Sequence, residues 1–482
     1  MGAMATSTCG GARCQAGPEG TARFRRHDRT GSMSQAAPPI DPGALIRSKG
    51  YAALLVLAAI VGIAVSLAGW AFLELVAAIQ HGVFLDLPVT LGMASAPWWW
   101  PIPWVTLAGL PVAFAIVRLP GHGGHRPAGG LKAGPPTLPI DLPGVLLAAV
   151  AGLGLGVVLG PEAPLIALGG GLGILTVRLV RRGASNQVML VMAAAGSFAA
   201  ISTIFGNPVI GAVIIIEAAG LGGPTLPLVL LPGLLAAGIG SVVFLGMGTI
   251  TGLSEGAYAL GPLGLPQVPP LVLTDFVWAL VLAGLAAVVT RVIVELAGSV
   301  ERFAMQRPFV LLPVAGLAVA IVAIAFAAVT GQSANLVLFS GQDAMVPLVQ
   351  RAPSLSAETL GLLIVFKGLA WAVSLGSFRG GPTFPAMFIG LVVGLFAAHL
   401  TGLPEASAVA IGMGAMTVSI LRLPLSAVIL AMVVTQAGMN VAPLIILAVV
   451  TAYIITELLA ARHPASAGPV TVAAGAQAPA GG

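Results

Sequence analysis

The residue with the clearest chemistry in this sequence is Glu162. It stands in "LGPEAPLIALGG", residues 159–170, a carboxylate between two prolines at the head of an apolar run. Only 8% of the 482 residues are charged and 58% are hydrophobic, so an acid placed there needs a reason. Proline is accommodated in the first turn of a helix, where its missing N–H costs no hydrogen bond. Gly-Pro-x-x-Pro therefore reads as a helix N-terminus. The free N–H groups there carry partial positive charge and can hold an anion. A carboxylate at that place is itself an anion. It can fill a site meant for a diffusing ion and leave when protonated or displaced, which makes Glu162 a candidate gate. The other reading is a charge that stabilises the helix dipole, by about 0.3–1 kcal/mol.

The motif recurs. Gly160-Pro161-Glu162-Ala163-Pro164 is followed by Gly169, and Gly381-Pro382-Thr383-Phe384-Pro385 by Gly390 at the same spacing. Further on, "GSFAAISTIFGNPVIGAVIII" from Gly196 matches "GMGAMTVSILRLPLSAVILAM" from Gly412, with Pro208 and Pro424 at equal offsets. Two matched pairs in the same order predict an internal repeat. In membrane transporters such repeats often run in opposite directions and place the binding site near the midplane, where broken helices meet. Two helix starts facing one another would bind an anion without a full positive charge. They could then release it, as conduction requires. A third break, "PGHGGHRPAGGLKAG" at 120–134, sets His122 and His125 among glycines. It reads either as a further piece of the anion path or as an interfacial loop. A His-x-x-His metal pair without a helix or acidic partners is not expected to bind a metal.

The elements that must carry these motifs are membrane helices. Mean hydropathy is +1.04, and 64 Gly and 37 Pro sit largely inside apolar runs, a membrane-helix habit. Apolar stretches near the roughly 17–25 residues of a spanning helix occur at 50–79, 99–118, 143–158, 163–181, 188–219, 225–248, 272–298, 309–330, 357–376, 383–400, 405–420 and 423–460. The last is long enough for more than one helix. The predicted organisation is a disordered cytoplasmic tail over 1–42, a first membrane repeat over 43–250, a linker over 251–271, a second repeat over 272–461 and a disordered tail over 462–482. Residues 1–42 lack the apolar stretch of a secretory signal, and Met33 is an alternative start. The net charge of +5 does not indicate nucleic acid. The basic residues flank apolar segments and form no patch with aromatics. Arg47 and Lys49, with Arg23, Arg25 and Arg26, predict a cytoplasmic N-terminus. Cys9 and Cys14 alone imply neither a disulfide framework nor a zinc site.

In that order, these segments resemble the CLC family of chloride channels and proton-coupled anion exchangers, from about residue 45 to 460. "GHGGHRPAGGL" stands at the family's G-S-G-I-P segment and "LGPEAPLIALGG" at its G-[KR]-E-G-P segment. "GNPVIGAVIIIE" resembles N-A-P-L-x-G-x-x-F-x-x-E. "RGGPTFPAMFIG" stands at G-x-F-x-P, and "GMGAMTVSILRLPLSAVILAMVVT" resembles the run that ends E-x-T. The resemblance implies an all-α polytopic membrane protein of two inverted-repeat halves built from tilted, broken helices. It also implies a homodimer with one pore per subunit, in a bacterial inner membrane and without a cytoplasmic regulatory domain. By position, Glu162 matches the gating glutamate.

The departures matter as much. The family serine that contacts the central anion falls on His122; a neutral imidazole can still donate one hydrogen bond. Of the two positions whose amides contact the anion, Pro382 has no N–H and Thr383 keeps one. The basic residue before the gate is Pro161. The internal proton acceptor of the exchangers falls on Ala218, next to Glu217, which is either a substitute on a proton path or a structural acid. No tyrosine stands at the family's pore position, and Tyr453 falls one segment early. Lys367, in mid-span, tunes the anion potential or pairs with an acid such as Glu217.

The expected function is an anion channel or transporter of the chloride type, gated by Glu162. His122, Gly123, Gly160, Glu162, Ala163, Thr383 and Phe384 are the candidate anion groups. Passive conduction is favoured by Ala218; proton-coupled exchange of chloride, fluoride or another small anion is the alternative. An enzyme using Glu162 and His122 as acid and base is not expected, since no nucleophile–base pair or metal cluster is recognisable. A receptor-like role would follow only if the departures close the pore. The partners expected are a small anion, the lipid bilayer and a second copy of the chain, with no cofactor, metal or nucleic acid.

Overall fold

The computed structural model describes residues 42–130, 135–223, 226–251 and 261–462. The predicted tails lie almost wholly outside the described residues, as do 252–260 of the predicted linker. Seven main helices form the first half: α1 Lys49–Thr90, α2 Pro101–Arg118, α3 Leu142–Gly154, α4 Glu162–Val180, α5 Asn186–Phe205, α6 Pro208–Ala218 and α7 Leu226–Thr251. Seven form the second: α8 Leu273–Ala304, α9 Pro308–Thr330, α10 Ala357–Ser377, α11 Thr383–Thr401, α12 Glu405–Leu421, α13 Pro424–Thr435 and α14 Ala442–Arg462. Each helix of one set has a counterpart in the other, and matching pairs touch: α4 with α5 as α11 with α12, α1 with α7 as α8 with α14. Ten helices of the described residues are long and apolar enough to cross a membrane.

Local chemistry fixes where the helices break. The stretch expected at 188–219 is two helices. Gly206 ends α5 in the left-handed region at φ 60°, Asn207 caps α6 through its side chain, and Pro208 takes the first turn. The run at 423–460 divides in the same way, at Gln436 with φ 49°. The first helix runs past its expected end to Thr90, through a π-helical turn at Gly82–Asp86.

Packing repeats with the sequence. Gly169 and Gly173 of α4 press on Gly196 and Met192 of α5; Gly390 and Gly394 of α11 press on Gly412 and Ala408 of α12. A Cβ at any of these glycines would collide with backbone of the facing helix. Small residues four apart let two membrane helices touch along their backbones. Helices α11 and α12 are the most buried, while α1, α8 and α9 turn large apolar side chains such as Val56, Val277 and Ile321 outward. That surface suits hydrocarbon and not water.

Candidate anion site

The two Gly-Pro motifs meet. Helix α4 starts at Glu162 with Pro161 at its N-cap, and α11 starts at Thr383 with Pro382 at its N-cap. Just before them, Gly160 and Gly381 form an antiparallel bridge. Gly160 N–H donates to Gly381 O at 2.7 Å, and Gly381 N–H donates to Gly160 O at 2.6 Å. The bridge pins the two helix starts together, one from each half. It also explains why neither position carries a side chain: a Cβ on Gly381 would overlap the Glu162 carboxylate, and one on Gly160 would overlap Glu162 Oε2.

Glu162 is 1% exposed. Its Oε1 accepts the Thr383 N–H of the opposite half. The Thr383 hydroxyl and the Phe384 N–H also face the carboxylate, while Oε2 has no hydrogen-bond partner. A carboxylate from one repeat thus rests on the free N–H groups that open the other. The ring of Phe384 stacks on Phe205, centroids 5.4 Å apart, and so adds a further contact between the halves. Ala163 is half-buried in the first turn of α4.

Three expected groups are placed differently. Gly160 spends its N–H on Gly381 O, so it holds the site together instead of facing an anion. His122 is exposed, at φ 49°, and its Nδ1 lies 3.0 Å from Ile116 O. A carbonyl only accepts, so Nδ1 carries the proton and the neutral ring has no donor left for an anion. Its backbone N–H is spent on Leu119 O as well. Gly123 is buried, and a Cβ there would meet Ile116, Ala148 and Arg379. The 121–124 turn therefore packs on Arg379. Residues 131–134 of the third break lie outside the described residues.

The remaining acids and bases of the membrane body resolve in turn. Glu217 caps α13: its carboxylate accepts Leu425 N–H at 2.8 Å, Ser426 N–H at 2.7 Å and the Ser426 hydroxyl at 2.6 Å. An acid on a helix N-terminus is stabilising, and this one ties α6 of the first half to α13 of the second. Lys367 is fully buried and does not pair with Glu217. Its Nζ donates to Leu338 O at 2.8 Å and Phe339 O at 3.0 Å and sits 4.7 Å from the Phe388 ring centroid. Ser374 was not singled out from the sequence; its hydroxyl accepts Val158 N–H at 3.2 Å and so supports the strand-like approach to Gly160. No group of three His, Cys, Asp or Glu among the described residues is arranged to hold a metal.

Two halves of broken helices, opening against each other at a buried carboxylate, define a membrane protein that moves anions. Residues 131–457 match the family described as "Voltage gated chloride channel", and the chain belongs to this CLC family. A protein of Escherichia coli strain SMS-3-5 named "Putative ion-transport protein YfeO" is 31% identical over 353 residues, 72% of this chain and 79% of that one. A Shigella boydii serotype 4 protein of the same name is 30% identical over 353 residues, with the same coverage. Among solved structures, a slow cyanobacterial Cl⁻/H⁺ antiporter superposes with a TM-score of 0.68 at 20% identity, covering 84% of this chain and 94% of that one. A CLC-type fluoride/proton antiporter gives 0.59 at 19% identity, covering 84% and 96%. At those identities the likeness is one of fold. The inverted-repeat fold and the anion channel or transporter class expected from the sequence are both borne out.

Proposed function

We propose that the protein conducts a small anion of the chloride type through the junction of α4 and α11, with Glu162 as the gate. One observation carries this reading: the Glu162 carboxylate of the first half occupies the Thr383 N–H of the second. A side-chain anion on helix-start N–H groups marks where a free anion would bind once the side chain leaves. Thr383, Phe384 and the first turn of α4, including Ala163, then supply the donors. Gly123 and His122 belong to the loop at one mouth of the path.

Passive conduction is the form this reading takes. Glu217 holds α13 with three hydrogen bonds and Ala218 has no acid, so neither offers a free proton relay on the first half. Proton-coupled exchange is the alternative, supported by the likeness in fold to a Cl⁻/H⁺ antiporter and a fluoride/proton antiporter. The chain would act as a homodimer in a bacterial inner membrane with its N-terminus in the cytoplasm, as Arg47 and Lys49 at the start of α1 suggest.

The test is reconstitution in liposomes loaded with chloride, following efflux and lumenal pH together for native protein and Glu162→Gln. Efflux without proton movement, altered by the substitution, is the expected result. Uphill proton movement driven by chloride and lost in Glu162→Gln would replace conduction with exchange. Absence of chloride, fluoride and nitrate flux in both proteins would refute the reading.

A further inference from the structure

Arg379 is the charged group that the path through Glu162 leaves unused. It lies between the end of α10 and the Gly381 bridge and is 5% exposed. Its Nη1 donates to Phe378 O at 3.2 Å, while its buried Nε has no partner. A guanidinium removed from water is costly without a counter-anion. None of the ion pairs among the described residues includes it.

Two elements pack beside this residue. The Ala297–Glu301 turn of α8 presses on Gly376, three residues before Arg379. From the other side, a Cβ on Gly123 would stand 3.3 Å from Arg379 Cγ. The charged groups facing the guanidinium are Glu301 and Arg126, which lie 3.1 Å from each other with side-chain exposures of 23% and 73%. Charge thus runs inward from solvent at Arg126, past Glu301, to buried Arg379 and the turn that leads to Thr383.

We propose that the Nε edge of Arg379 is a second anion site that prefers a planar monovalent oxyanion, such as nitrate, to chloride, with the Glu301 carboxylate as the nearby negative charge that competes with it. The inference rests on the reading of the chain as an anion conduit. A guanidinium presents paired, parallel N–H groups that match two oxygens of a planar anion, a geometry a spherical halide does not use. Nη1 is engaged with Phe378 O, so the edge that contains Nε is the one that remains. Glu301 has the same two-oxygen shape as the proposed ligand. Arg126, 73% exposed, pairs with it at 3.1 Å, so its negative charge is already partly offset and leaves the Nε edge open to an incoming anion.

The test is calorimetric titration of the detergent-purified native chain with sodium nitrate and with sodium chloride. Nitrate is expected to bind at least about fivefold tighter than chloride. Arg379→Lys keeps the charge and loses the fork; it should weaken nitrate roughly tenfold, change chloride less than about threefold, and so erase the preference. Glu301→Gln removes the competing carboxylate and should tighten nitrate by roughly tenfold. Equal affinities in the native chain, or a nitrate preference untouched by Arg379→Lys, overturns the proposal. Should Arg379→Lys elute as aggregate, Glu301→Gln decides, and no gain in nitrate affinity overturns it. Liposome flux separates the two readings. Nitrate binding that depends on Arg379 without flux of any anion sinks the conduit and keeps the site; chloride flux without that dependence does the reverse.

Discussion

The tight fit around the Glu162 carboxylate permits a steric test of gating that leaves the carboxylate chemically intact. Gly381 lies outside the left-handed region, so its backbone accepts alanine. A Cβ there would overlap the carboxyl carbon of Glu162. Gly381→Ala should therefore push Glu162 off the Thr383 N–H and raise conduction. A hydrogen bond to a charged group contributes about 1.5–3 kcal/mol. At 1.4 kcal/mol per factor of ten, losing it shifts the closed-to-open ratio by roughly 10- to 100-fold.

Initial chloride efflux per reconstituted protein reads that shift directly, up to the limit set by the fully open path. A second background gives the control. In Glu162→Ala the clashing group is absent, so adding Gly381→Ala should change efflux by less than about twofold, the non-additivity expected of two residues in contact. A fall in efflux of equal size in both backgrounds would refute the reasoning. It would mean that the Cβ obstructs the path or breaks the Gly160–Gly381 bridge instead of displacing a gate.

Other substitutions test the supports of the site. Lys367→Met keeps most of the volume but leaves the Leu338 and Phe339 carbonyls unpaired in the interior; it should cost about 1–3 kcal/mol and lower the unfolding midpoint in scanning fluorimetry. Glu217→Gln weakens the cap on α13 and should destabilise by about 1 kcal/mol while chloride flux stays within about twofold. Complete loss of proton-coupled flux in that variant would place Glu217 on a proton path instead. Gly394→Ala drives a Cβ into Ala408 and Val409 of α12, whereas Gly238 has open space around it. The first should cost about 1–3 kcal/mol, as overpacking does, and the second should leave the midpoint unchanged, by the same thermal melt. Arg126→Ala removes the exposed partner of Glu301; its stability change should be under about 1 kcal/mol.

What could be read in advance follows the grain of the physics. Helix starts were legible because Gly-Pro-x-x-Pro restricts the backbone whatever surrounds it, and both starts fall within one residue of their expected places. The repeat was legible because Pro208 and Pro424 break the chain at equal offsets. Main-chain pairing between Gly160 and Gly381 leaves no side-chain signal, so the sequence pointed to Gly160 as an anion group and not to the bridge its N–H makes. His122 looked like a donor because its ring has one N–H; that the Ile116 carbonyl consumes it depends on how the end of α2 approaches the loop. Lys367 in mid-span suggested either a charge that tunes the anion potential or an acidic partner such as Glu217; its Nζ is held instead by carbonyls freed at a loop turn. Arg379 and Glu301 are distant in sequence, and only the crossing of α8 and α10 at Gly376 brings them together.

The distribution of charge in the finished site has a logic of its own. A permeating ion must find positive potential without meeting a cation that traps it. Here the residue before the gate is Pro161 where the resembling family has a basic one, and Pro382 contributes no N–H, so the helix starts themselves are weaker anion donors. Two buried cations stand nearby in the second half, Lys367 and Arg379. Lys367 is spent on two carbonyls and an aromatic face, which fixes it in place as a source of field and not as a ligand. Arg379 is spent on one carbonyl and faces a carboxylate that already has another partner. Positive charge is thereby kept close to the junction of α4 and α11 among the described residues, and the proposed site at Arg379 lies beside a carboxylate paired elsewhere. On the two proposals, Glu162 holds the place an anion would take, while Glu301 is the negative charge that competes with an anion at the other. The prediction that separates this from a single gate is that Glu301→Gln alone changes nitrate flux, and that its effect multiplies that of Glu162→Gln as for distant, independent sites; a single gate leaves nitrate flux untouched by Glu301→Gln.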